Sequence, residues 1–175
     1  WSHSRALAKD PSDAAIRALV LYPTNALVED QISRLRRSAM RAIEETGDPV
    51  FFFGRYTGAT LGETYVPPAS LKSNDRGKIN KVAKEIREIA KEARQLRESL
   101  EVAGKSSTEI LDAASQFQDP YCGEMLTRWD MISAPPDILI TNTSMLNIML
   151  LRDVEGPIFE KTREWLEADE ANHFS

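Results

Sequence analysis

Threonine follows an apolar run at three places in the chain, where a hydroxyl could meet an anion. Thr24, Thr57 and Thr141 each come soon after such a run. Short apolar runs bounded by turn formers predict buried strands of a parallel sheet, and open α/β sheets bind ligands at the carboxyl ends of their strands. The sequence therefore predicts a ligand edge at these residues. The alternative is ordinary strand-ending turns with nothing bound.

The first of these places has the strongest local pattern. Residues 17–22 predict a buried strand, and a helix is predicted over 25–46, with Thr24 or Asn25 as its cap and Gly47 as its terminator. A strand that turns directly into a helix presents backbone N–H groups and the positive end of the helix dipole, which suit a phosphate. At the second place the Thr57 hydroxyl, together with the small Gly58, can contact a sugar–phosphate chain without reading bases.

The rest of the chain predicts two more strands and several helices. The strands lie at 50–53 and 138–140, and a helical hairpin over 78–103 and 107–117 stands between them. An irregular loop is expected at 59–75, a helix with mostly core residues at 144–151, and a last helix at 158–167 with Leu166 facing inward. The order strand, helix, strand, excursion, strand, helix indicates the α/β class with a parallel sheet.

Three strings resemble one family of nucleic-acid motors. They are LYPTNALVEDQ at 21–31, GRYTGAT at 54–60 and DILITNTSML at 137–146. In this order they resemble motifs Ia, Ib and Ic of the superfamily 2 helicases, the DEAD/DEAH-box class of ATP-driven motors. The resemblance implies an internal part of the first RecA-like domain, similar to large bacterial helicases with insertions. Some such helicases serve in DNA repair or antiviral defence, and DNA is favoured over RNA by the likeness alone.

The resemblance also implies which residues contact the strand. Hydroxyls and turn amides would hold the phosphates of a single strand independently of its sequence. The residues carried over are Pro23, Thr24, Asn25, Gln31, Arg55, Thr57, Gly58, Thr141, Asn142 and Ser144. Two departures from the family pattern reduce the expected charge at the site. Asn25 replaces the arginine of P-T-R-E-L-A, and residues 141–144 read T-N-T-S where the family has T-P-G-R.

The same resemblance divides the chain and its activity. Residues 1–58 and 137–175 would form a partial RecA-like helicase domain, and 59–136 a mainly helical insertion that guides a strand, docks a protein partner or covers the sheet. The parent motor would use ATP and Mg²⁺, and its remaining helicase domains would be partners of this part. The chain alone is expected to bind neither cofactor well, and no catalytic residue or metal ligand is predicted in it.

Two strings imitate nucleotide motifs. Residues 104–106, G-K-S, resemble the end of a P-loop, but Ser99 stands where its first glycine should be and a helix precedes it. Residues 169–172, D-E-A-N, resemble a Walker B box, which should end an apolar strand; here the preceding residues are charged and helical. Neither string is interpreted as a nucleotide site.

Composition sets the remaining limits. The net charge is −5, which does not mark a nucleic-acid binder. The single cysteine, Cys122, excludes an internal disulfide, and no zinc-spaced ligand set is present. No run approaches the ~20 apolar residues of a membrane span and no leader is recognised, so cytoplasm is expected. A basic side on the 25–46 helix, formed by Arg34, Arg36, Arg37 and Arg41, is interpreted as a solvated face in preference to a phosphate contact.

One alternative function from another class stays open. A non-catalytic α/β interaction module would dock a protein partner through the helical hairpin. The two readings differ in their response to salt, since phosphate binding weakens as ionic strength rises. A small-molecule enzyme is set aside because no acid/base pair or nucleophile constellation is found.

Overall fold

The computed structural model describes residues 14–62 and 73–173. Its helices and strands, numbered in chain order, alternate around one small sheet. They are β1 Ala18–Tyr22, α1 Asn25–Thr46, β2 Phe53–Tyr56, α2 Ser73–Val102, α3 Ser107–Ala114, α4 Arg128–Ser133, β3 Ile138–Asn142, α5 Thr143–Leu151 and α6 Gly156–His173, with short 3-10 turns at Pro120–Cys122 and Asp153–Glu155. None of the helices within these residues is long and apolar enough to cross a membrane.

The three strands form a parallel sheet in the order β1-β3-β2. Side chains alternate between its two faces, so successive residues of β3 enter different cores. Ile140 packs with α1 residues, and Leu139 packs with residues of α4, α5 and α6. The prediction of an α/β fold with a parallel sheet flanked by helices is confirmed.

Helix α1 spans the predicted residues and ends where expected. Gly47 follows it in the left-handed conformation, with φ of 83°, which glycine adopts without a steric penalty. The predicted cap is wrong in one respect. Thr24 occupies the N-cap position, but its side chain accepts no hydrogen bond from the first turn.

Two strands differ from their predicted form. β2 runs three residues later than 50–53, because the apolar run marks burial while the ladder with β3 needs the following residues as far as Tyr56. β1 is not a buried strand: Leu19 and Leu21 are both 42% exposed. Within the described residues β1 pairs only with β3, which leaves its outer side uncovered.

The predicted helical hairpin is present with altered ends. α2 begins at Ser73, five residues before the predicted start, and α3 ends at Ala114, before Phe117. Ser106 caps α3 through a reciprocal pair of bonds with Glu109. α3 contacts both α2 and α1. Most of the predicted irregular loop, 63–72, lies outside the described residues.

The last two helices bury fewer apolar side chains than predicted. In α5, Met149 is buried, but Ile148 and Leu150 are 43% and 61% exposed. In α6, Ile158 is fully buried whereas Leu166 is half-exposed. Within the described residues, α5 mainly contacts β3 and the 153–155 turn, and α6 mainly contacts α4 and the same turn.

Residues 122–127 run along the free side of β2 and extend its hydrogen bonding. The N–H of Phe53 donates to the Gly123 carbonyl at 3.1 Å, and the N–H of Met125 donates to the Phe53 carbonyl at 2.7 Å. Met125 then packs in the same core as Leu139. The end of the predicted insertion is therefore built into the sheet's own core, and the boundary of the insertion stays a prediction.

A buried ion pair holds α1 against this returning segment. The Arg36 guanidinium donates from Nε and Nη2 to the two carboxylate oxygens of Glu124, at 2.7 Å each, and both side chains are nearly inaccessible. The backbone N–H of Asp119 also donates to Glu124, and the Ser115 carbonyl accepts from Arg36 at 3.5 Å. Arg36 is therefore a core residue, which corrects its place in the predicted solvated basic face.

We predict that Arg36→Ala lowers the free energy of unfolding by about 3–5 kcal/mol, because it leaves the Glu124 carboxylate buried without its charge partner. Arg34→Ala is the control. Arg34 pairs with Asp30 at the surface, so its loss changes stability by less than about 1 kcal/mol. Equilibrium urea unfolding measures both. Equal losses in the two variants would contradict the structural importance of the buried pair.

Candidate nucleic-acid interface

The carboxyl ends of all three strands lie at one edge of the sheet. Tyr22 at the end of β1 is level with Asn142, and Tyr56 at the end of β2 is level with Thr141. The segments that leave these strands therefore begin side by side. The edge also receives the N-termini of α1 and α5, whose free N–H groups favour anions.

One side chain connects two of these segments. The Asn142 Nδ2 donates to Asn25 Oδ1 at 2.6 Å, while Asn142 Oδ1 accepts from the Met145 N–H at 2.7 Å. Asn142 is thus the N-cap of α5 and at the same time ties α5 to the start of α1. The asparagines that depart from the family pattern fix the two helix N-termini relative to each other.

Five of the predicted contact residues are exposed at this edge. They are Pro23, Thr24, Asn25, Gly58 and Ser144. Thr24 and Ser144 offer hydroxyls on adjacent strand ends, one before α1 and one in the first turn of α5. Asn142 is half-buried beside them. The structure therefore brings together hydroxyl and amide groups from all three strand ends.

Two of the three predicted threonines do not present their hydroxyls. Thr141 is fully buried, and its Oγ1 donates to the Tyr56 carbonyl at 2.5 Å. Thr57 is 2% exposed, and its Oγ1 accepts from the Ala59 N–H at 3.3 Å. The expectation that three threonine hydroxyls converge on phosphates is corrected. Thr24 alone is available, because the other two satisfy backbone groups inside the fold.

The remaining two predicted residues, Arg55 and Gln31, are half-buried and are not among the exposed groups. Arg55 is half-buried and forms an ion pair with Glu29 on α1. Burial lowers the pKa of its guanidinium, and the nearby Glu124 charge acts in the opposite direction. Gln31 lies further along α1, half-buried, with its Nε2 3.4 Å from Asp30 Oδ2.

The basic side of α1 is mostly paired. Arg34 forms an ion pair with Asp30 at 3.2 Å, and Arg37 forms one with Asp112 of α3 at 2.7 Å. Arg41 is exposed. Together with the buried Arg36, these contacts leave little free positive charge on this helix.

The two strings that imitate nucleotide motifs have structural roles. Gly104, with φ of 69°, follows α2, and Lys105 and Ser106 both bond to Glu109 at the start of α3. Those bonds, first that from the Ser106 backbone, lower the pKa of Glu109 to about 2. Residues 169–172 lie inside α6 and not at the end of a strand. Among the side chains that the structure describes, no group of three or more His, Cys, Asp or Glu could hold a metal ion.

The chain was compared with known protein families, proteins and structures. No protein-family model matches the chain. The chain is similar to Druantia protein DruE. The two are 33% identical over an alignment 194 positions long, which covers 94% of this chain and 10% of that Escherichia coli (strain UMEA 4076-1) protein. The chain thus spans about a tenth of the length of DruE. No solved structure matches it.

The buried residues that support the edge were not predicted from the sequence. The Arg128 Nη2 donates to the Thr57 carbonyl at 2.6 Å, and its guanidinium lies 5.1 Å from the centre of the Tyr56 ring. The Tyr56 hydroxyl donates to Glu155 Oε1 at 2.9 Å, and burial raises the pKa of that hydroxyl. Nothing in the local sequence distinguishes Arg128 from a surface arginine, since its partners are 71 and 72 residues away.

We predict that Asn142→Ala lowers the free energy of unfolding by about 1 kcal/mol, because α5 loses its side-chain cap. Asn142→Asp should lose less, since its carboxylate still accepts from the Met145 N–H although it cannot donate to Asn25. Thermal and urea unfolding measure both variants. The neighbouring exposed Thr143→Ala is the control, and a cost equal to that of Asn142→Ala would show that the cap contributes nothing particular.

Proposed function

We propose that this chain is the part of an ATP-dependent nucleic-acid helicase or translocase that contacts the strand backbone without reading its sequence. One observation carries the proposal: exposed Thr24, Asn25, Gly58 and Ser144 come together from three parallel strand ends. The ordered likeness of these segments to motifs Ia, Ib and Ic supports it. The similarity to Druantia protein DruE, which covers nearly the whole chain, supports a place in a larger protein of that kind.

The chemistry of the edge suits phosphate oxygens. Hydroxyls and backbone amides donate hydrogen bonds to phosphates, and two helix N-termini add partial positive charge without a mobile side chain. With a net charge of −5, attraction must be local, so we expect moderate affinity that depends on the other parts of the motor.

ATP and Mg²⁺ are proposed as cofactors of the parent motor, bound outside the groups described here. The remaining helicase domains would then be the partners of this part, and nucleotide turnover between them would change the spacing of the strand contacts. The uncovered Leu19 and Leu21 of β1 and the exposed Leu150 of α5 are apolar surfaces that such neighbouring parts of a larger polypeptide would cover.

The likeness to Druantia protein DruE, a defence-system protein, favours antiviral defence over DNA repair as the setting. DNA is proposed over RNA on the same basis. The exposed groups at the edge would meet phosphates of either, because a contact to the backbone alone does not require a 2′-hydroxyl.

Removing the two exposed hydroxyls should weaken single-strand binding. We expect Thr24→Ala with Ser144→Ala to raise the Kd for single-stranded DNA on the order of tenfold, since two hydrogen bonds to phosphate are lost. The factor should be the same for a thymidine homopolymer and for a mixed sequence. Fluorescence anisotropy of labelled oligonucleotides with the natural full-length protein measures it.

The control for this experiment is Thr108→Ala with Ser99→Ala, which removes the same two types of hydroxyl from exposed positions on α3 and α2. It should bind as the unaltered protein does. If the edge variant also binds normally, the edge does not contact the strand. Binding that is insensitive to salt would favour the interaction module instead.

A separate prediction concerns ATP. The purified chain should release no phosphate from ATP in the presence of Mg²⁺, because residues 104–106 cap a helix and residues 169–172 lie within one. A coupled phosphate-release assay with and without single-stranded DNA checks this. Steady Mg²⁺-dependent turnover by the chain would contradict the assignment of ATP to other parts of the motor.

A further inference from the structure

A cleft of about 460 Å³ opens beside the predicted strand path. One wall is the turn formed by residues 58–62, which follows β2. The other wall is the first part of α2, with Lys78, Lys81 and Glu85, and the ring of Trp129 from α4 also lines the cleft. The cleft therefore lies between the sheet edge and the helical hairpin, whose role the sequence left open.

The turn wall is held rigidly by groups inside the fold. The Thr60 hydroxyl donates to the Arg55 carbonyl at 2.8 Å, and the Arg128 guanidinium holds the Thr57 carbonyl. Gly62, with φ of 76°, packs against Trp129 so closely that an added Cβ would lie 2.9 Å from the ring. At the tip, by contrast, a Cβ on Gly58 would meet nothing within 4 Å. A strand could approach the backbone there.

The helix wall carries positive charge at the mouth of the cleft. Lys78 and Lys81 are exposed and three residues apart, so both lie on the same side of α2. Neither forms an ion pair with another residue in the described part of the chain. Glu85, one turn further on, is the acidic group among the described lining residues. The charged side chains described at the cleft, Lys78, Lys81 and Glu85, therefore sum to a small positive charge in a protein that is acidic overall.

We propose that this cleft holds phosphates of the same single strand of nucleic acid that crosses the sheet edge. Gly58 belongs to both surfaces, so a strand leaving the edge enters the cleft without a gap. The lysines would pair with phosphates, and the Trp129 ring would provide an apolar wall for a sugar or base. The inference rests on the proposed function, and it makes α2 of the insertion a guide for the strand.

The test is a charge-removal pair on one helix. We expect Lys78→Ala with Lys81→Ala to weaken binding of a thymidine oligonucleotide by about tenfold at low salt in the natural full-length protein. The slope of log K against log salt concentration should fall by roughly 1.4, since each single-strand phosphate contact contributes about 0.7. The control, Lys84→Ala with Lys91→Ala, removes the same charge from exposed positions of α2 outside the cleft. It should leave the slope unchanged.

Glu85 provides the opposite variant. Glu85→Gln should tighten binding by about twofold to threefold at low salt, because it removes a like charge close to the phosphates. Glu88→Gln, also on α2 but outside the cleft, should have a smaller effect. All of these side chains are exposed, so the variants should fold normally, and circular dichroism checks this.

The outcomes separate this inference from the proposed function. One outcome is that the Thr24 and Ser144 variant binds more weakly while both lysine-pair variants bind as the unaltered protein does. That result would overturn the proposed cleft contact and would leave the proposed contact at the sheet edge. If the unaltered protein binds no single-stranded nucleic acid, the proposed function fails and the inference with it. Equal loss in both lysine pairs would assign the effect to overall charge and would also overturn the cleft.

Discussion

The buried pair of Arg36 and Glu124 is the contact on which the arrangement of the other elements depends. It joins the middle of α1 to the segment that returns from the hairpin, and Glu124 also accepts from the backbone N–H of Asp119. Removing two charges from water is costly, and the cost is offset only when nearly every donor and acceptor is satisfied. The pair therefore restricts the fold to an arrangement in which α1, the end of α3 and the free side of β2 meet.

A second buried polar cluster fixes the position of the sheet edge. Arg128, Tyr56 and Glu155 link α4, β2 and the segment before α6, and Arg128 holds the turn that carries Gly58. The exposed surface is thus positioned by buried side chains that a ligand would never contact. An edge made mainly of small polar groups can therefore keep a defined shape, because buried side chains hold its backbone in place.

The proposed strand path and its surroundings carry little free positive charge. Arg55 is neutralised by Glu29, and Arg34 and Arg37 have acidic partners, so they contribute little long-range attraction. Lys78 and Lys81, which form no ion pair within the described residues, lie on α2 beside the edge. Under the proposed function, phosphates would be held by local donors and by these lysines, so binding would be weak and sensitive to salt.

Local pattern alone predicted the class of the fold and the complete span of α1, because a helix that ends in a left-handed glycine is determined by residues close in sequence. The convergence of the strand ends also followed from the sequence, since parallel strands have few ways to connect. The burial of Thr57 and Thr141, the late start of β2 and the pairing of Arg36 could not be predicted. Each depends on a partner 71 to 88 residues away or on the register of a neighbouring strand. For Thr141, whether the hydroxyl faces a ligand or the backbone was therefore decided by tertiary packing, because the carbonyl that accepts from it lies 85 residues away on a neighbouring strand.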